Sequence, residues 1–307
     1  MKMRIGMVVG LLAGLICFDA SVAHADGLVM GPKQLATAQQ VTLSNKITIA
    51  KATHAEAFHR IRRLKGHTPQ EYRKYRSQKP SVAAELKALG PGAGWAIINA
   101  LVFEPLPKND ATQREWDALR QDMVVALGNL RMPEARPVLQ QVFQSTSSDV
   151  GLVHAAAAGL GMLGDSQSRA VLLNALHSSG KTQEGALNGL RYVRDMGAVN
   201  AVAKVLRSSP STVQFAARAL GYQGSSWAWR TGNAGSAADE MPIRARCMEV
   251  LLQEYLRHSG EDREAITRAL SMVQHPATIA RIDAMLGSTV DAADKQALLD
   301  LRNRMRM

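Results

Sequence analysis

The sequence predicts an all-α solenoid, a stack of helical hairpins, and three observations carry that prediction. The first is composition. Of the 307 residues 46% are apolar but only 5% aromatic, and Ala, Leu, Val and Met dominate the apolar share; these residues favour helices and small-residue packing over strands. The second is a phrase that recurs along the chain: Ala126-Leu127-Gly128, Gly159-Leu160-Gly161, Gly189-Leu190-Arg191, Ala219-Leu220-Gly221 and Ala269-Leu270-Ser271, with leucines 33, 30, 30 and 50 residues apart. The third is an apolar i, i+3, i+4 triplet that begins twelve residues after each leucine: Leu139/Val142/Phe143, Leu172/Ala175/Leu176, Val202/Val205/Leu206 and Ile282/Met285/Leu286. In the fourth unit the equivalent set, Met248/Leu251/Leu252, arrives about 16 residues late. Each triplet puts apolar side chains on one helical face. A hairpin of about 30 residues cannot bury that face alone and needs neighbours above and below.

Taken in chain order, residues 1–25 read as a cleaved secretory signal peptide. Lys2 and Arg4 form a positive start, Ile5 to Phe18 is an uncharged stretch too short to span a bilayer, and Ala23-His24-Ala25 supplies the small-x-small cleavage pattern. The bulky Ile16 before Cys17 argues against a lipid anchor. The expected location is therefore exported, periplasmic or extracellular. Without Lys2, Arg4 and Asp19 the formal net charge falls from +11 to +10. Cys247 is then the one remaining thiol, in the apolar run Ala245 to Leu252, where a buried inert role is expected.

Residues 26–80 form a loose N-terminal segment followed by basic helices that cap the solenoid. Asp26 to Gln39 is expected to be loose or extended. Thr53-x-x-Glu56 and Thr68-Pro69-Gln70-Glu71 read as capping boxes, predicting helices over about 53–65 and 69–78. The stretch carries Arg60, Arg62, Arg63, Lys65, Arg73, Lys74, Arg76 and Lys79 against Glu71 alone, with Tyr72 and Tyr75 interleaved. It reads either as an anion-binding surface for an envelope polymer, a membrane surface or nucleic acid, or as a solvated face.

Residues 81–307 form the repeat domain. Gly164-Asp165-Ser166 ends one helix and caps the next, and a final helix near Asp291 to Arg304 reads as a C-terminal cap. The stretches Ala126-Leu127-Gly128-Asn129-Leu130, Gly161-Met162-Leu163-Gly164-Asp165 and Lys87-Ala88-Leu89-Gly90-Pro91 resemble the HEAT-repeat family, in the short bacterial type also seen in phycobilin-lyase-like repeats. The resemblance implies a right-handed α-α superhelix of HEAT/armadillo type and a binding or scaffold surface rather than one activity. Prolines expected in the first helices are missing, and the fourth repeat is interrupted.

That interruption, an inserted loop at 225–241, is Gly/Ala/Ser-rich and opens with Trp227 and Trp229 beside Arg230. These have the chemistry of an interface anchor, or fold back to cover the fourth repeat. A polar ladder, Gln141, Gln144, Asn174, His177, Lys204 and Arg207, recurs at equivalent places on the second helices. By the resemblance these helices line the concave surface and the ladder is a groove for a partner; ordinary solvent exposure explains it equally well. Gly159-Leu160-Gly161-Met162-Leu163-Gly164 matches a dinucleotide-binding fingerprint, but no strand precedes it and the repeat explains its glycines. No catalytic motif, metal-ligand spacing or cofactor motif is found. The reading is a non-enzymatic binding protein that takes a protein partner, with an anionic polymer or membrane surface bound by the N-terminal helices as the alternative; no cofactor, metal or small-molecule substrate is expected.

Overall fold

A computed structural model describes residues 28–64, 82–108, 110–145, 149–231 and 237–306. Among these residues there is no strand, and the chain is an all-α solenoid. Before the repeats come α1 (Thr37–Thr53), α2 (Ala55–Arg62), α3 (Val82–Ala88) and α4 (Pro91–Ile98), the last widening into a π turn over Asn99–Phe103. The hairpins follow as α5 (Gln113–Asn129) with α6 (Arg136–Gln144), α7 (Val150–Leu163) with α8 (Ser166–Ala175), and α9 (Gly180–Leu190) with α10 (Met196–Ser208). Next come α11 (Val213–Gln223), a short α12 (Ser226–Thr231) and α13 (Ala237–Tyr255). The array ends with α14 (Gly260–Val273) and α15 (Thr278–Ser288), and α16 (Ala292–Arg306) closes the C-terminal end.

The first helices stack on one another, α5 on α7 on α9, then α11 on α14, with a lighter contact from α9 to α11. The repeat leucines Leu127, Leu160, Leu190, Leu220 and Leu270 are all fully buried, and one continuous core runs from Val29 to Leu301. Small residues set the spacing of the stack. A Cβ on Gly128 would collide with the backbone of Gly159, and one on Gly161 with the carbonyl of Gly189. Gly159 and Gly161 thus lie inside α7 as packing residues, which accounts for the false dinucleotide fingerprint.

The N-terminal region departs from expectation in three ways. The segment expected to be loose to Gln39 is helical from Thr37, where the helix Thr37–Thr53 begins. Its composition is rich in β-branched Thr, Ile and Val, weaker helix formers, and its apolar stripe is thin: Leu43, Ile47 and Ala50 are its buried residues. Packing against α4 decides its structure rather than propensity. Residues ahead of it are also pinned, since the Val29 and Met30 amides donate to the Leu101 carbonyl at 3.0 and 3.3 Å. Finally, Thr53 does not cap the following helix; it ends α1, its hydroxyl donating to the Ile49 carbonyl at 3.1 Å. The helix expected over 69–78 lies outside the described residues.

Candidate binding edge

The core leucine sets a register along one edge of the solenoid. Four residues beyond it stand Arg131, Gly164, Arg194, Gly224 and Gln274, at or just past the end of the first helix except for Arg194, which lies three residues beyond the Arg191 that ends α9. Arg131, Gly164 and Gln274 adopt left-handed backbone, φ 52°, 71° and 46°, the usual way to end a helix. One residue further on, Asp165 and Asp195 cap the second helices: Asp165 accepts from the amides of Gln167 and Ser168 at 3.0 and 2.9 Å, and Asp195 from Ala198 at 2.8 Å. Each also receives an arginine from the hairpin before. Arg136 Nε lies 3.2 Å from the Asp165 carboxylate, and Arg169 Nη1 lies 2.9 Å from Asp195. Burial pushes the Asp165 carboxyl up, but hydrogen bonds from Ser168 and the neighbouring Arg136 outweigh it and hold the group below the usual range.

The fourth hairpin breaks this pattern. The segment expected as a loop at 225–241 is in large part helical: α12 occupies 226–231 and α13 begins at 237. The two tryptophans take opposite roles. Trp229 is buried and its indole Nε1 donates to the Gln223 carbonyl at 2.8 Å. Gln223, itself fully buried, donates through Nε2 to the Leu190 and Val193 carbonyls at 3.0 and 3.1 Å, clamping the turn of the third hairpin. On the other side the Ser226 hydroxyl donates to Gln274 Oε1 at 2.7 Å, and Arg244 Nη2 donates to the Val273 and Gln274 carbonyls at 3.1 and 2.8 Å. Held between two turns, α12 projects Trp227, 64% exposed, with Arg230 also exposed.

A second feature of the edge is a pair of arginines that, among the described residues, meet aromatic rings rather than a carboxylate. Arg191 lies over the rings of Tyr192 and Tyr222, 4.6 and 5.1 Å from their centroids, and donates to the Tyr192 hydroxyl. Arg194 lies 5.9 Å from the centroid of Trp229 and, among the described residues, meets no carboxylate. The Nε atoms of both are buried without an acceptor. Burial, then the nearby charge of Arg131, lowers the Arg194 pKa. Sequence reasoning passed over Gln223, Arg131, Arg191 and Arg194. Counting four residues from the repeat leucine singles out Arg131 and Arg194; nothing in the sequence marks Gln223.

The second-helix ladder is mostly solvent-facing. Gln144, Asn174, His177 and Lys204 are exposed and Gln141 is half-buried, with no side-chain bond joining them. Arg207 is engaged elsewhere: its Nε donates to Glu254 Oε1 at 3.1 Å and its Nη2 to Gln253 at 2.8 Å, and Glu254 is buried. Of the basic N-terminal cluster, Arg60 is exposed, Arg62 lies 3.7 Å from Glu104, and Arg63 Nη1 is 3.4 Å from His59 Nε2. Lys65, Arg73, Lys74, Arg76 and Lys79 lie outside the described residues, as does the proposed signal segment. Cys247 is buried, and burial pushes its thiol up to about 12. Among the described residues no three His, Cys, Asp or Glu side chains gather as a metal site, and no helix is long and apolar enough to cross a membrane.

Residues 152–178, the α7–α8 hairpin, match the PBS lyase HEAT-like repeat. Among solved structures, human deoxyhypusine hydroxylase in complex with glycerol aligns with 84% of this chain and 98% of its own, at 16% identity and a TM-score of 0.32, a likeness too distant to bear on activity. No curated protein matches the sequence. With the matched hairpin's geometry repeated on either side of it, the chain carries HEAT-like repeats.

Proposed function

We propose that this HEAT-like repeat protein is exported and, without catalysing a reaction, holds a protein partner against its turn edge, with Trp227 and Arg230 of α12 as the first contacts. The observation that carries the reading is the contrast within one short helix. Trp229 is spent on anchoring, while Trp227, two residues away, is left 64% exposed on a segment tied to both neighbouring turns. An exposed indole on a rigid support loses little entropy on binding and supplies a large apolar contact, which is why tryptophan and arginine dominate interface energies. Export rests on the charge, length and small-residue pattern of residues 1–25.

The test places a photo-crosslinking phenylalanine derivative at position 227, and separately at Gln144 on the second-helix ladder, in cells that make the protein. The expected result is one recurrent protein adduct from position 227 and none from 144. Adducts from 144 alone would move the interface to the second helices. The N-terminus of the same purified protein is expected to be Asp26; an intact Met1 in the soluble envelope fraction would defeat the export reading.

A further inference from the structure

At the C-terminal end of the array, the turn between α14 and α15 and the last turn of α16 enclose a cavity of about 480 Å³. Gln274 and His275 line it from the turn, Ile279 from α15, and Arg304, Met305 and Arg306 from α16. That volume is in the range of small-molecule sites. The α12 ledge meets its wall at one point, the Ser226 bond to Gln274.

The hydrogen bonds of this turn leave donors in surplus. The Leu270 carbonyl accepts from the Gln274 amide, and the Val273 and Gln274 carbonyls accept from Arg244 Nη2. The His275 carbonyl accepts from the Thr278 hydroxyl at 2.7 Å, and Gln274 Oε1 from the Ser226 hydroxyl at 2.7 Å. His275 Nδ1 accepts from the Ala277 amide at 3.2 Å, so the neutral ring carries its proton on Nε2. Burial, then Arg244, lowers the pKa of this ring and keeps it in that form at neutral pH. What remains is His275 Nε2–H, the Gln274 side-chain NH₂ and two guanidiniums. Arg304 gives Nη1 to Glu264 at 2.6 Å, and among the described residues Arg306 meets no carboxylate. Two cations suit the negative end of α16, but a helix end needs no cavity beside it, nor a turn whose acceptors are spent.

We infer that this cavity binds a carboxylate carried on a small apolar body. A wall of donors is satisfied by a ligand that brings acceptors, and guanidiniums pair with the two oxygens of a carboxylate. The half-buried Ile279 and Met305 in the same lining receive the apolar part, which an inorganic anion lacks. The carboxylate belongs either to a free small acid or to the C-terminal residue of a peptide. The site is separate from Trp227 and does not depend on what that residue contacts.

Met305 makes binding visible, because it lines the cavity. Purified protein with isotope-labelled methionine methyl groups is titrated with hexanoate, N-acetyl-leucine, N-acetyl-leucinamide and inorganic phosphate at neutral pH and one ionic strength. Calorimetry and the Met305 methyl resonance are the readouts. Saturable binding of hexanoate that shifts Met305 supports the site and identifies a free acid; such binding of N-acetyl-leucine alone supports it and identifies a peptide C-terminus. Arg306→Gln is expected to weaken binding about tenfold. Arg302→Gln, which removes the same charge from α16 at a residue paired with Asp283, leaves it within about twofold. Ser271→Phe tests the same cavity with both arginines in place: Ser271 lines it, and the larger ring would fill it and abolish binding. An equal response to N-acetyl-leucinamide or phosphate, binding unchanged in Arg306→Gln or Ser271→Phe, or no saturable shift of Met305 with either acid would each overturn the inference.

Discussion

The second and fourth hairpins begin alike and diverge one residue past the turn. In the second, Gly164 ends α7, Asp165 caps the next helix, and that helix is α8, which packs straight back against the array. In the fourth, Gly224 and Ser225 stand at the same two positions, and Ser225 also starts a helix, its Oγ accepting from the Ala228 amide at 3.4 Å. That helix is α12, Ser226–Thr231, and the packing role passes to α13. The same capping register thus serves two ends. In the regular hairpin it returns the chain to the core, and in the interrupted one it builds a ledge that is clamped below by Trp229 and open above at Trp227. A repeat protein gains a local feature without disturbing its stack when the insertion sits at a turn and carries its own anchors.

The sharpest way to break this comparison is at the anchor. Trp229→Ala removes a buried ring and the indole bond to Gln223, and is expected to cost about 3–5 kcal/mol, read as a lower urea midpoint with early proteolysis between residues 224 and 237. A cost below about 1 kcal/mol would mean that α12 is not fastened as described. Next in size is the regular stack: Gly161→Ala sets a methyl group against the Gly189 carbonyl and is expected to cost about 1–3 kcal/mol by thermal denaturation. Asp165→Ala, which removes the cap of α8, is expected to cost about 1 kcal/mol. Trp227→Ala closes the series at within about 0.5 kcal/mol of wild type, since its ring is exposed; an effect like that of Trp229 would show that it too serves the fold.

Acid sharpens the same contrast from the side of charge. Hydrogen bonds from Lys51 and Asn99 hold Glu104 below its ordinary range, the bond from Lys46 does so for Glu134, and Asp165 is held low by the balance described above. Burial lowers His154 and His275, the latter helped by Arg244. All five bind protons less readily folded than unfolded. Their contribution to stability is complete above the unfolded pKa values and is lost as pH falls through the folded ones. Urea midpoints are therefore expected to fall modestly below about pH 6.5, through the histidines, and more steeply below about pH 4. A midpoint that rose on acidification would contradict the hydrogen-bonding assigned to these groups.

Much of the fold was legible because its determinants are periodic. Leu127, Leu160, Leu190, Leu220 and Leu270 recur as a phrase, and each is fully buried. Leu139/Val142/Phe143 and Val202/Val205/Leu206 are buried as sets. The helix Thr37–Thr53 escaped because three buried residues in a stretch rich in β-branched Thr, Ile and Val carry too little periodicity, and contact with α4 supplies what propensity lacks. In the candidate site, the Trp227, Trp229 and Arg230 cluster was visible as an aromatic pair in an insertion. The division between them was not, since it follows from which indole reaches the Gln223 carbonyl. Arg207 read as one rung of an exposed ladder and is held by the buried Glu254, 47 residues away in sequence.

By itself, then, the sequence determined an array of helical hairpins, its register and the place where that register is interrupted, because burial at a fixed period leaves a fixed mark on residue type. Tertiary structure alone decided that Gln223 reaches back to the turn of the third hairpin, and that Trp229 anchors where Trp227 stands free. Both depend on which turns lie side by side once the first helices close against each other at Gly128–Gly159 and Gly161–Gly189, a matter of distance in space that residues 30 to 60 apart in sequence do not record.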